Sequence, residues 1–315
     1  MGTVDTAIRK PAAVAAYRHS VLGRDWRLGY LLALPVMLVI FGLVAYPLLY
    51  SIWLSLNEIK LGGEGTFVGL GNYYKILFDT SARIHDAFMN SVRVSILYTG
   101  VALLLKFILG MVTALILHAN IKGRNLWRAL LFLPWSIPAV VSAWSWKWMY
   151  NDINGVLNAM FMRLGLIDAP ILFLGDINIA LWSVLAAVTW QGTPFWTMTF
   201  LAGMQSIPGE IYEAAQIDGA STWQSFWFIT LPNLTNVIVV TCMLSAIWTA
   251  NSVQYVIILT NGGPAGATET FPMLALAQGI RAYDLGTGAT IPLIFFPAFA
   301  VMIYFLTRRM LRGEA

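Results

Sequence analysis

Residues Pro208–Pro232 read PGEIYEAAQIDGASTWQSFWFITLP and lie between two long apolar segments. The stretch is too polar to cross a bilayer and too regular for a loose loop. Pro208 can open a helix, because its fixed φ suits a first turn and its missing N–H costs nothing there. Ile211, Ala214 and Ala215 recur at helical spacing, with Glu210 and Glu213 in the opening turns, where a carboxylate suits the helix dipole. Asp218-Gly219 is a turn signal. Ser221 begins a second helix, and Gln224 three residues on completes a capping box. Trp223, Phe226 and Trp227 give that helix an apolar stripe, and Pro232 is expected to end it. The spacing predicts two short helices joined at a glycine, a knuckle held between membrane spans.

The rest of the chain supports a membrane setting. Of its 315 residues, 58% are hydrophobic and 11% charged, against about 25% charged in soluble domains. Mean hydropathy is +0.71. The apolar excess must face lipid or lie inside a bundle that does. The net charge of +4 is small and calls for no nucleic acid; a bias of charge across a membrane accounts for it. Cys242 is the one cysteine, so no intrachain disulfide forms. His19, His85 and His118 are far apart and lack metal-ligand spacing.

Six segments reach the ~20 apolar residues of a span: 28–56, 92–117, 129–149, 178–203, 234–259 and 289–307. This predicts an all-α protein with a tail over 1–27, a six-helix domain over 28–310 and a short tail over 311–315. The tail over 1–27 is too long for a signal n-region, so the first span is read as an uncleaved anchor. Pro35, Pro47, Pro134, Pro138, Pro194, Pro292 and Pro297 fall within spans and are expected as kinks, since neighbouring helices can satisfy the freed carbonyls. Lys and Arg are concentrated in the first tail, in 118–128 and after Arg308, which places both termini and the 204–232 loop on the cytoplasmic side. That loop holds no Lys or Arg, so an anionic surface would meet a basic partner.

The run Glu213-Ala214-Ala215, three residues, Gly219, nine residues, Ile229-Thr230-Leu231-Pro232 resembles the EAA loop of ABC-importer permeases. Phe67 to Tyr73 (FVGLGNY), Arg128 to Pro138 (RALLFLPWSIP) and Thr260 to Pro264 (TNGGP) resemble further segments of the carbohydrate, maltose-type branch of that family. The resemblance covers the chain from about residue 28 to its end. It implies the type I importer fold and an inner-membrane, multi-pass permease for a sugar or sugar-like solute. It also implies a second, different permease, two ATPase subunits that bind ATP and Mg, and an extracytoplasmic solute-binding protein. Glu213, Ala214, Ala215, Asp218 and Gly219 would then couple to the ATPase. No G-x-x-x-x-G-K-[ST] phosphate cradle and no nucleophile-base set is present, so this chain is not expected to be an enzyme or to bind a cofactor itself.

An ion-coupled transporter is the alternative. Such proteins keep acidic or histidine relays within the membrane, and the six spans contain no Asp or Glu. A membrane enzyme would need reactive groups at a membrane face. For a solute path, Trp190-Gln191-Gly192-Thr193-Pro194-Phe195-Trp196 sets aromatics and polar groups beside a proline, and Ser245, Trp248, Thr249, Asn251, Ser252 and Gln254 make the fifth span polar. Ser245, Trp248, Thr249 and Ser252 follow i, i+3, i+4, i+7 spacing. Such a face can hold sugar hydroxyls, or it can bind helices together; composition alone favours the second. The resemblance implies solute contacts at Gly192, Phe195, Ser245, Trp248, Thr249 and Ser252, with Trp190 and Asn251 beside them. Lys106 departs from the family pattern. It either bonds a neighbour in the bundle or provides a cation for an anionic solute.

Overall fold

The computed structural model describes residues 26–60 and 62–312. Most of the expected tail over 1–27, and residues 313–315, lie outside them. The chain divides between Tyr50 and Ser51 into two compact units, a boundary that falls inside the first expected span. That span is α1 (Trp26–Ile40), continued through a π-turn (Phe41–Ala45) into α2 (Tyr46–Ser55).

The second unit opens with a hairpin, β1 (Asn57–Glu58) antiparallel to β2 (Thr66–Phe67), followed by α3 (Gly71–Leu77). The Phe67–Tyr73 segment has a structural use here. Buried Asn72 donates from Nδ2 to the carbonyls of Ser55 and Asn57, each at 2.9 Å, which satisfies acceptors left over where a helix stops.

α4 (Arg83–His118) has 36 residues, about 54 Å at 1.5 Å per residue, and so outruns a ~30 Å hydrocarbon core. α5 (Arg124–Ser136) and α6 (Ala139–Met149) are bent from one another by 92°. α7 (Val156–Arg163) leads to α8 (Ala180–Gln205). The knuckle comprises α9 (Gly209–Ile217), α10 (Thr222–Ser225), a π-turn (Phe226–Thr230) and α11 (Leu231–Asn233). α12 (Thr235–Asn251), α13 (Gln254–Leu259), α14 (Phe271–Leu276), a π-turn (Ala277–Arg281) and α15 (Leu285–Arg312) complete the order.

Among the described residues, four helical runs are long and apolar enough to cross a membrane: Gly29–Ser55, Arg83–His118, Thr235–Leu259 and Leu285–Arg309. The bent pair α5–α6 has the length and apolarity of a fifth when its two helices are taken together as one broken span. α8 matches the expected fourth span in place and length, but Gln191, Gly192 and its threonines hold down its apolarity. It lies inside the bundle instead, with Trp196 and Phe200 wholly buried. α8 packs along α4. A Cβ on Gly110 would sit 2.5 Å from Trp196 Cβ, and the Thr113 and Thr197 hydroxyls pair at 2.6 Å across the same seam. Close approach at small residues and paired hydroxyls is what joins helices in lipid, where burial of apolar surface gives little drive.

Two prolines differ from expectation. Pro138 makes a break and not a kink: α5 stops at Ser136, and Ile137 is extended (ψ 131°) because the residue before proline is pushed out of the helical region. Pro232 does not end the knuckle's second helix but sits within α11. The preceding π-turn relieves the clash that a proline ring makes with the carbonyl four residues back. The remaining span prolines are carried within their helices, as expected. The C-terminal tail expected from 311 is helical as far as Arg312.

Candidate functional site

The knuckle is built on a helix end. α9 starts after Pro208, which takes the N-cap and not the first turn, and finishes at Gly219, whose φ is +78°. The Gly219 N–H donates to the Gln216 carbonyl at 3.0 Å, and the Ala220 N–H to the Ala215 carbonyl at 2.9 Å. These two bonds are a Schellman turn, whose reversal needs the left-handed backbone that glycine adopts without strain. The four-residue step from Ala215 to Gly219 is therefore one helix terminus, with Ala215 supplying the accepting carbonyl. Ser221 Oγ accepts from the Gln224 N–H at 3.3 Å, and Gln224 Oε1 accepts from the Ser221 N–H at 2.8 Å, the expected capping box. Glu213, Ala214, Asp218 and Gly219 are exposed and Ala215 is half-buried. Ile217 is 87% exposed and Trp223 68%. The knuckle thus presents a carboxylate and uncovered apolar side chains. The Trp223, Phe226 and Trp227 rings pack on one another at 5.5–5.9 Å. Sequence reasoning missed the bond that ties the two halves, between the Tyr212 hydroxyl and that of buried Thr230 at 2.9 Å.

A second site lies where α4, α8, α12 and the α5–α6 break meet. It is a cavity of about 420 Å³, within the range of about 300–1,000 Å³ usual for small-molecule sites. α4 contributes Lys106; α8 contributes Val188, Gln191, Gly192 and Phe195; α12 contributes Ser245, Trp248 and Thr249, with Ser252 and Tyr255 beyond its end. The break contributes Trp135, Ser136, Ile137, Pro138 and Ala139. Six predicted residues, Gly192, Phe195, Ser245, Trp248, Thr249 and Ser252, are thus brought together with Lys106. Trp190 and Asn251 are not in the wall. Trp190 packs edge-on against Trp146 at 5.7 Å, and Asn251 Nδ2 donates back to the Ile247 carbonyl at 2.8 Å. Ser252 is not on the helix face expected of it: α12 ends at Asn251, and Ser252 is extended at a break before α13.

Two helix breaks therefore line one cavity, where their freed backbone groups can be satisfied by protein or water and not left in lipid. Gln191 Nε2 donates to the Ile137 carbonyl at the first break, at 2.9 Å. Trp196 Nε1 donates to Ser245 Oγ at 3.1 Å, and the Phe195 and Trp248 rings meet edge-on at 5.2 Å. Tyr255, which sequence reasoning passed over, donates its O–H to Ser142 at 2.7 Å. Lys106 Nζ donates to Thr249 Oγ1 at 3.0 Å and is buried. Gly192 faces the lysine stem, where a Cβ would lie 2.5 Å from Lys106 Cε. The hydroxyls of Ser245 and Thr249 thus bond within the bundle and form cavity wall as well. The first break has a sequence signal in Pro134 and Pro138, which predict kinks, and Gln191 lies in the polar segment expected on the solute path; Tyr255 has no such signal.

Comparison with known proteins fits this geometry. Residues 106–312 match the family described as "Binding-protein-dependent transport system inner membrane component". The chain is 38% identical to the trehalose/maltose transport system permease protein MalF of Thermococcus litoralis, over 87% of this chain and 90% of that protein. It is 28% identical to the trehalose transport system permease protein SugA of Mycobacterium tuberculosis, over 95% and 94%. A crystal structure of a bacterial ABC transporter for import of the acidic polysaccharide alginate contains a chain of the same fold, with TM-score 0.76, 20% identity, and coverage of 93% and 97%. On the family match, the relatives and the fold together, the chain belongs to the binding-protein-dependent inner-membrane permeases of ABC importers.

Proposed function

We propose that this permease moves a sugar or sugar-like solute into the cell, with the cavity beneath the α5–α6 break as the solute site and the knuckle as the seat of a separate ATPase subunit. One observation carries the reading. The knuckle joins α8 to α12, the two helices that supply half of the cavity's polar and aromatic wall. A force applied at Glu213 and Gly219 is transmitted into Gln191–Phe195 on one side and Ser245–Thr249 on the other. ATPase closure can thereby shift both walls at once, which is what alternating access requires.

The wall suits a sugar. Trp135, Phe195, Trp248 and Tyr255 offer ring faces, and Ser136, Gln191, Thr249 and Ser252 offer hydrogen-bonding groups. The names of the two relatives, permeases of trehalose/maltose and trehalose transport systems, support a sugar as the solute class. The assembly we infer has a second, different permease, two ATPase subunits holding ATP and Mg, and an extracytoplasmic solute-binding protein, with both termini of this chain cytoplasmic. The test is uptake of labelled trehalose, maltose and acidic-sugar probes by the assembled complex in proteoliposomes. Import is expected with ATP on the ATPase side and no ion gradient. Uptake that follows a proton or sodium gradient without ATP would overturn the reading.

A further inference from the structure

We propose that Lys106 is the cation that receives a negatively charged substituent of the solute, so that this permease carries an anionic sugar-like molecule bearing a carboxylate, sulfonate or phosphate. The inference rests on the cavity being the solute path. Lys106 is 4% exposed, and the cavity wall is where it ends. A protonated amine has three donors and no acceptor, and Nζ has one hydrogen-bond partner among the described residues, the Thr249 hydroxyl. The other two donor directions are left for whatever fills the cavity.

Among the described residues, no carboxylate neutralises the charge. The cavity lining contains no Asp or Glu, and none occurs in α4 beyond Asp86 or anywhere in α8 and α12. A lysine at mid-span costs about 2.5–3.5 kcal/mol on insertion scales, and such residues pair or line a path. Lys106 cannot escape along its own helix, since His118 is about 18 Å away at 1.5 Å per residue, too far for a four-carbon stem to carry the amine to the interface. Gly192 shapes this arrangement. Its missing side chain leaves the space that Lys106 Cδ, Cε and Nζ border, all within 3.0 Å of where a Cβ would stand. The stem is thereby laid against α8, and the amine is held at Thr249 on the cavity side. A site with a fixed, uncompensated cation beside ring faces selects a solute whose polar group is an anion.

The test uses the assembled transporter in membrane vesicles with Cys242→Ser and Ser252→Cys. Ser252 lines the same cavity and is half-buried. Labelling rates are compared for a sulfonate-bearing and a trimethylammonium-bearing methanethiosulfonate. A cation in a low-dielectric cleft concentrates anions, so the ratio of sulfonate to trimethylammonium rates is expected to fall about 10-fold on Lys106→Gln and to persist in Lys106→Arg. In the protein with Lys106 intact, glucuronate and glucose 6-phosphate are expected to slow labelling at about tenfold lower concentration than glucose. That arm needs no change at Lys106, so it decides even if the glutamine variant fails to assemble. An unchanged reagent ratio, or equal or absent protection by the three sugars, overturns the proposal and leaves ATP-driven import standing. A Ser252→Cys protein that reacts with neither reagent removes the solute path and this proposal together.

Discussion

The knuckle and the cavity are made in opposite ways. Every bond that shapes the knuckle joins residues within eighteen positions of each other, from the Schellman turn at Gly219 to the Tyr212–Thr230 bond. The cavity is assembled from residues as far apart as Lys106 and Tyr255, and its central bond spans 143 positions. A local device needs particular residues at particular spacings and loses its shape with one of them. A cavity wall shares its work among many groups, so each single loss is smaller.

That contrast ranks the expected effects. Gly219→Val places a β-branched side chain at φ +78°, costing about 1–2 kcal/mol or more of local backbone energy and undoing the reversal. ATP-driven uptake in vesicles should fall at least about tenfold, a factor that corresponds to 1.4 kcal/mol, with the variant still inserted as judged by membrane fractionation. Glu213→Ala comes next. The carboxylate is exposed, so the stability of the permease should shift by no more than about 0.5 kcal/mol. Co-purification of the ATPase subunit should nonetheless weaken by several-fold. Equal ATPase retention in both variants would break the comparison at its strong end.

On the cavity side, Thr249→Val deprives Lys106 Nζ of its acceptor, and Ser252→Ala removes a hydroxyl from the wall. Each should weaken apparent solute affinity only a few-fold, within the about 0.5–1.5 kcal/mol that one hydrogen bond contributes, read as a raised half-saturation concentration with unchanged membrane expression. The smallest effect is expected from Tyr212→Phe, which removes one hydroxyl partner of Thr230, about 0.5–1.5 kcal/mol. Its uptake should drop only a few-fold, while half-saturation stays put. If instead Tyr212→Phe alters solute affinity more than Thr249→Val does, the division of labour between the two regions fails.

The same contrast explains what could be read from sequence. The capping box of Ser221 and Gln224 and the reversal at Gly219 were legible because hydrogen bonds over three to five residues impose residue types at fixed steps. Six wall residues on α8 and around the end of α12 were reached through resemblance and polar spacing. The helix period, however, carried Ser252 onto a face that ends one residue earlier, at Asn251. No proline or glycine marks that end in the sequence, although Ser252 Oγ donates to Gln254 Oε1 across it at 2.8 Å. Pro138 was visible, yet whether a proline kinks or breaks a helix depends on what receives the freed carbonyl. Here the break leaves the Ile137 carbonyl to Gln191, 54 positions away. The apolarity rule likewise placed α8 among the spans, and its polar, close-packed sequence is the mark of a helix that faces its neighbours more than lipid. The role of Gly192 became visible only with Lys106 beside it.

One measurement bears on both regions together. In the assembled complex carrying Cys242→Ser and Ser252→Cys, the labelling rate by a small polar thiol reagent is followed in the resting state and with ATP trapped on the ATPase. If the knuckle drives the cavity walls through α8 and α12, the rate changes several-fold between the two states, and Glu213→Ala with Gly219→Val abolishes the change while leaving the resting rate intact. A rate that is the same in both states, or a change that survives both knuckle substitutions, would contradict the account.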